Sequence, residues 1–99
     1  MIHWSNVKGF DWDEGNGRKN EKHGVSMAEA EQAFFNAPLL LLEDTRPSDR
    51  EPRFHALGAS DNGRPLHITF TLRHGGEKIR VKSARDLHRK ERAIYGEAT

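Results

Sequence analysis

Between Leu66 and Arg85 the chain reads LHITFTLRHGGEKIRVKSAR, two alternating runs around a glycine pair. Apolar and polar residues alternate from Leu66 to Arg73 and again from Lys78 to Ala84, the period of a strand with one buried face. Gly75-Gly76 tolerates positive φ and predicts a tight hairpin turn. With the glycines at the turn, His74 faces Glu77, Arg73 faces Lys78, Leu72 faces Ile79 and Thr71 faces Arg80. Phe70 then meets Val81, Thr69 meets Lys82 and Ile68 meets Ser83. Ile68, Phe70, Leu72, Ile79 and Val81 share a core face, while Thr69, Thr71, Arg73, Lys78, Arg80 and Lys82 share a basic one. A slip of one residue would exchange the faces, so the pattern pins the register.

The rest of the chain supplies elements to pack on this hairpin. Gly9 to Asp13 reads as a brief strand with Phe10 and Trp12 on one side. Glu14 to Lys22 predicts a helix weakened by Gly15 and Gly17, with Gly24 as its C-cap. Ser26 and Glu29 form a capping box that starts a second helix, carried by Met27, Ala30, Ala33 and Phe34 and stopped before Asn36-Ala37-Pro38. Leu39 to Leu42 is a short apolar strand, followed by a polar loop from Thr45 to Arg50. Arg53 to Ala59 is the next strand. Placing Phe54 and Ala56 on the core side sets Glu51, Arg53 and His55 beside Arg73, Thr71 and Thr69, and avoids burying the charged residues. A terminal helix is expected from Ser83-Ala84-Arg85-Asp86 through Leu87, Ile94 and Tyr95 to Gly96.

These elements predict one α+β domain over residues 1–99, with residues 1–9 as a leader. Two N-terminal helices pack on a four-stranded antiparallel sheet, with a short extra N-terminal strand and a C-terminal helix. The chain has 99 residues, 34% of them hydrophobic, and no cysteine, so disulfide frameworks, thiolate zinc sites and thiol nucleophiles are excluded. The opening residues carry no apolar block of the kind a signal peptide or membrane span needs, so the cytoplasm is the expected compartment. The net charge of +1 hides an asymmetry: residues 1–50 hold 6 Lys/Arg against 9 Asp/Glu, and residues 51–99 hold 10 against 6. A basic C-terminal half points to a polyanion, nucleic acid first.

Candidate chemistry concentrates on the basic face. Arg53, Arg73, Arg80 and Lys82, with Arg85 just past the strand, can present several cations to one or two phosphates. Guanidinium forks match phosphate oxygens and stabilise charge that builds on phosphorus during transfer. Glu51 on the same face can pair with an arginine or accept a 2′-hydroxyl proton; a cross-strand salt-bridge ladder accounts for the same pattern. His55 and His67 also fall on this face, where either can act as a general acid or base. His3, His23, His55, His67, His74 and His88 show no metal-ligand spacing, and no cofactor is expected. Lys22-His23-Gly24 either balances a helix dipole or approaches a substrate from the side.

Several stretches, taken together, resemble the BrnT family, ribonuclease toxins of bacterial type II toxin–antitoxin systems. They are Phe10 to Asp13, Asn20, Lys22 to Ser26, Glu29-Ala30, Phe34-Phe35, Glu51 with Arg53, Gly58, Ile79 to Arg85, Glu91-Arg92 and Tyr95. KHGVS and IRVKSAR are the specific part. The sequence departs from the family pattern at Gly15 and Gly17, where better helix formers are usual, and at Lys82, where an apolar residue is common. The resemblance implies a RelE-like fold and metal-free RNA cleavage. It also implies neutralisation by BrnA, a DNA-binding antitoxin through which alone the toxin would meet operator DNA. It carries Lys22, His23, Glu51, Arg53, Arg80, Arg85 and Tyr95 onto the family's charged and aromatic motif positions.

The leading expectation is therefore an endoribonuclease toxin that inhibits translation, using 2′-hydroxyl attack and leaving a 2′,3′-cyclic phosphate. Glu51, Arg53, Arg80, Arg85, Lys22 and His23 are its catalytic candidates, and His55, Arg73, Lys82 and Tyr95 its RNA contacts. The competing expectation is a non-catalytic module whose basic face grips RNA, DNA or an acidic partner. A metal-dependent hydrolase is a third.

Overall fold

A computed structural model describes residues 4–12, 24–43 and 52–98 of the chain. The helix expected at Glu14–Lys22 lies outside these residues, as do His23, the loop from Thr45 to Arg50, and Glu51. A 3-10 turn at Trp4–Asn6 leads into β1 (Gly9–Phe10), followed by α1 (Met27–Ala33), β2 (Leu40–Glu43) and β3 (Phe54–Ala59). Then come β4 (Pro65–Arg73), β5 (Lys78–Asp86) and α2 (Arg89–Ala98).

The strands form a single five-stranded sheet in the order β1-β5-β4-β3-β2. β2 to β5 make an antiparallel meander, but β1 runs parallel to β5, with Gly9 beside Lys78 and Phe10 beside Ile79. Two N-terminal helices on a four-stranded antiparallel sheet, the RelE-like arrangement expected above, is therefore not the architecture. The sheet is mixed and five-stranded, and among the described residues a single α-helix precedes the meander. The physical reason lies in the outer edge of β5, whose backbone groups need partners. Flanking bonds from Lys8 N to Glu77 O (2.7 Å) and Asp11 N to Ile79 O (2.8 Å) extend β1 and satisfy that edge.

The β4–β5 hairpin follows the predicted register for its first four pairs, Arg73–Lys78, Leu72–Ile79, Thr71–Arg80 and Phe70–Val81. His74, Gly75 and Gly76 all have positive φ, so the turn spans His74 to Glu77. Beyond Phe70 the register jumps: Thr69 meets Ser83, Ile68 meets Ala84, His67 meets Arg85, and Lys82 is the extra, bulged residue. The expected pairs Thr69–Lys82 and Ile68–Ser83 do not form. Val81 and Ala84 are both fully buried, which an unbroken alternation cannot achieve over three positions. The bulge also moves the terminal helix. Ser83 to Asp86, expected to open it, continues the strand, and α2 starts at Arg89 and runs through Gly96.

The two helices cover opposite faces. α1 begins at the expected capping box, with Ser26 Oγ accepting from Glu29 N (3.1 Å) and Glu29 Oε1 accepting from Ser26 N (3.3 Å). Ala30 and Ala33, one turn apart, are completely buried against Ala56, Ile68 and Phe70, whereas Met27, expected on that face, is 42% exposed. Phe34 continues the contact, its ring edge-on to Phe70 with centroids 5.1 Å apart. On the other face, α2 seats Tyr95 with Leu87 over Leu57.

Arg64, in the turn before β4, joins three distant segments. Its guanidinium donates to both carboxylate oxygens of Asp86 (2.8 and 3.0 Å) and to Gly24 O (2.7 Å), and lies 3.4 Å from Glu29 Oε2.

Gly58 sets how closely α1 approaches β3. A Cβ there would stand 2.7 Å from the backbone oxygen of Ala33 and 3.1 Å from Leu39 Cδ1. Gly58→Ala should therefore destabilise the protein by about 1–3 kcal/mol, read as a lower urea midpoint with the slope unchanged. An unchanged midpoint would show that α1 is free to retreat.

Candidate functional site

The face under α2 carries the polar residues of three strands. β3 contributes His55, β4 contributes His67, Thr69, Thr71 and Arg73, and β5 contributes Arg80, Lys82, Ser83 and Arg85. His55 pairs with Thr69 and Thr71 with Arg80, as the alternation predicts. The bulge decides the membership of Arg85. In unbroken phase with Val81 it would point into the core, where a guanidinium is costly; one inserted residue returns it to the polar face.

Arg85 does not stand alone there. Its two terminal nitrogens donate to the two oxygens of Glu91 at 2.8 and 3.1 Å, a bidentate clamp from strand to helix. Glu91 sits in the first turn of α2, where its Oε1 also accepts from His88 N at 2.8 Å and caps the helix. Its Oε2 faces His67 Nδ1 at 2.5 Å. His67 Nε2 lies 2.9 Å from His55 Nδ1, which is 3.1 Å from Thr69 Oγ1. The five side chains form one continuous hydrogen-bonded cluster across β3, β4, β5 and α2.

The electrostatics follow from that packing. Burial alone would raise the Glu91 carboxyl, but hydrogen bonds from Arg85, the His88 amide and His67 outweigh it and hold the group down at about 2. His67 is pushed below the ordinary imidazole range, chiefly by burial, against the pull of Glu91. Near neutral pH the cluster thus contains an ionised carboxylate, a charged guanidinium and a neutral His67.

A second cation on the face is also held. Arg80 Nη2 donates to Asp11 Oδ2 at 2.7 Å, and His74 Nε2 lies 3.5 Å from the same oxygen. The Arg80 hydrogen bond does most to draw the Asp11 carboxyl below the usual range. Asp11 follows β1, so the parallel strand that completes the sheet also delivers the partner of Arg80. Among the described residues, Arg80 Nε and the neighbouring Thr71 Oγ1 are buried with no hydrogen-bond partner.

The structure therefore brings His55, Arg73, Arg80, Lys82 and Arg85 onto one face and places Arg53, exposed, just before β3. Lys82 enters as the bulged residue rather than as the partner of Thr69. Tyr95 does not join them. It is only 7% exposed, packed between α2 and the sheet, with its hydroxyl donating to Pro38 O at 2.9 Å, and so anchors the helix. Glu51, Lys22 and His23 lie outside the described residues. Sequence reasoning missed Asp11 and the central place of Glu91. The signal for Glu91 was its position three residues after His88, a capping spacing hidden by starting the helix at Ser83.

The depressed Glu91 carboxyl has a consequence for stability. A group lowered in the folded state stabilises above its unfolded value, near 4.5, and loses that contribution as pH falls toward about 2. The stability gap between the natural chain and Glu91→Gln should therefore be about 1–3 kcal/mol at neutral pH and close toward pH 2, measured by denaturation across that range. A gap independent of pH would show that the charge of Glu91 contributes nothing.

Residues 12–91 match the sequence model of the family described as "Ribonuclease toxin, BrnT, of type II toxin-antitoxin system". No curated protein matches the chain. No helix among the described residues is long and apolar enough to cross a membrane. The family match takes in β2 to β5, Arg80 and Arg85, the histidine pair and Glu91, and with about four-fifths of its length so covered, the chain belongs to the BrnT family of type II ribonuclease toxins.

Proposed function

We propose that the protein is a metal-independent endoribonuclease acting on the α2 face of its sheet. The family supplies the reaction class and the requirement for a protein antitoxin. What supports the site is the joined pair of His55 and His67 beside the Arg85–Glu91 clamp, on the same face as Arg80. Proton-transfer groups and phosphate-matching cations then occupy one rigid surface, as a phosphoryl transfer without a metal requires.

In this reading the 2′-hydroxyl oxygen attacks the adjacent phosphorus and the bond from phosphorus to the 5′-oxygen breaks. A base takes the 2′-proton and an acid returns one to the departing 5′-oxygen. The products are a 2′,3′-cyclic phosphate and a 5′-hydroxyl. The imidazole pair or Glu51 acts as base, and Arg85, Arg80 and Arg53 stabilise charge on the non-bridging oxygens. Arg73 and Lys82 hold the RNA backbone, and Lys22 and His23 approach from the side. Cleavage inhibits translation in the cytoplasm. The antitoxin is of the DNA-binding BrnA type, and operator DNA is met only through it.

Purified protein incubated with total RNA in excess EDTA should cleave it and leave cyclic-phosphate ends. Arg85→Ala and Arg80→Ala should each lower the rate by about 100-fold or more while RNA affinity falls far less. Ends bearing 3′-hydroxyl and 5′-phosphate, or cleavage abolished by EDTA, would overturn the mechanism. Bound but intact RNA would identify a binding module.

A further inference from the structure

The sheet has two outer edges, and the chain treats them differently. β1 and its flanking bonds close the edge of β5. Among the described residues, no backbone bond from Leu40–Glu43 reaches any segment but β3. In an antiparallel pair each residue turns its N–H and C=O to one side only, alternating along the strand. Two of the four β2 residues therefore direct both groups outward, a template for one more strand. Edges that must stay single commonly carry lysine, proline or a bulge. β2 reads Leu-Leu-Leu-Glu in unbroken register, with Leu41 and Leu42 41% and 43% exposed. These two leucines stand on opposite sides of the sheet. Leu41 pairs with buried Ala56 on the α1 side, and Leu42 pairs with His55 on the α2 side.

We propose that this edge receives the protein antitoxin: an extended antitoxin segment adds a strand beside β2, with apolar residues on Leu41 and Leu42 and acidic residues reaching the α2 face. Such docking rests on the family's need for an antitoxin and on the α2 face as the catalytic one. Area argues against a second copy of this chain as the occupant. A stable interface takes about 20–30 residues a side, and β2 against β2 brings four. A segment of another protein is free to continue past the strand and bury more. Charge sets the composition of that continuation. Exposed Arg53 lies just beyond Glu43 in the ladder, and the neighbouring face carries Arg80, Lys82 and Arg85. Carboxylates that follow the added strand thus meet cations, while main-chain bonds supply affinity and the leucines fix the register. Chain that crosses the face from β2 covers His55 first, so docking and inhibition are one event.

Hydrogen exchange on the full chain, alone and with its co-expressed antitoxin bound, reads the edge directly. The outward amides of Leu40–Glu43 should exchange freely alone and become protected in the complex. Leu41→Glu places a charge on the side away from the catalytic face. It should weaken antitoxin binding about 30-fold or more while RNA cleavage keeps its rate. Phe35→Glu, at an aromatic 79% exposed just after α1, should leave binding unchanged. Protection at α1 instead of β2, or binding lost with Phe35→Glu but not with Leu41→Glu, would overturn the docking. A toxin that dimerises without antitoxin and loses the dimer on Leu41→Glu would assign the edge to a second copy, and overturn it as well. An antitoxin strand on a protein that leaves RNA intact would keep the docking and sink the ribonuclease. RNA cleavage with β2 unprotected in the complex would do the reverse.

Discussion

Val81 and Ala84 face the same core three positions apart, and a pleated strand allows that only if one residue is pushed out of the ladder. Lys82 is that residue, and both faces of the sheet depend on it. On the inner side the bulge lets Ala84 fill the core. On the outer side it returns Arg85 to the row begun by Arg80, opposite His67. It also prolongs β5 to Asp86, which sets where α2 can start and therefore where Glu91 stands. Without the insertion, the clamp between Arg85 and Glu91 would have no strand residue to grip.

The outer face is less a bed of open cations than a set of fixed ones. Arg80 is bound by Asp11 and Arg85 by Glu91, each through a charge-assisted hydrogen bond that holds the guanidinium in one orientation. Such pairing lowers the net positive field that would draw any polyanion from a distance, and trades it for precise placement. The proposed reaction, which has to meet one phosphorus atom in one geometry, would make use of that exchange.

The parts of this arrangement that were legible in the sequence are those with local causes. The capping box of Ser26 and Glu29, the first four pairs of the β4–β5 hairpin and the pairing of His55 with Thr69 each follow from period, turn and cap chemistry within a few residues. The parts that escaped are non-local. β1 is two residues long, and nothing in Gly9-Phe10 announces a parallel pairing with a strand almost seventy positions away. The bulge escaped because alternation extrapolates smoothly through Lys82, and only the buried pair of Val81 and Ala84 demands the insertion. Glu91 escaped for the same reason: once the strand is cut short at Ala84, the helix start moves and the glutamate falls in mid-helix.

Arg64 bears on how the molecule comes apart. Its single guanidinium closes contacts to residues 22, 35 and 40 positions away in the chain. Closing such long loops is entropically expensive until the flanking strands are already paired, so this junction completes late in folding. In the reverse direction, α1 cannot lift from the sheet without releasing Glu29 and Gly24 from the same side chain that holds the end of β5. The helix over one face and the strand that carries Arg85 on the other are thus joined in one cooperative unit, and local opening of the core layer is felt at the opposite surface.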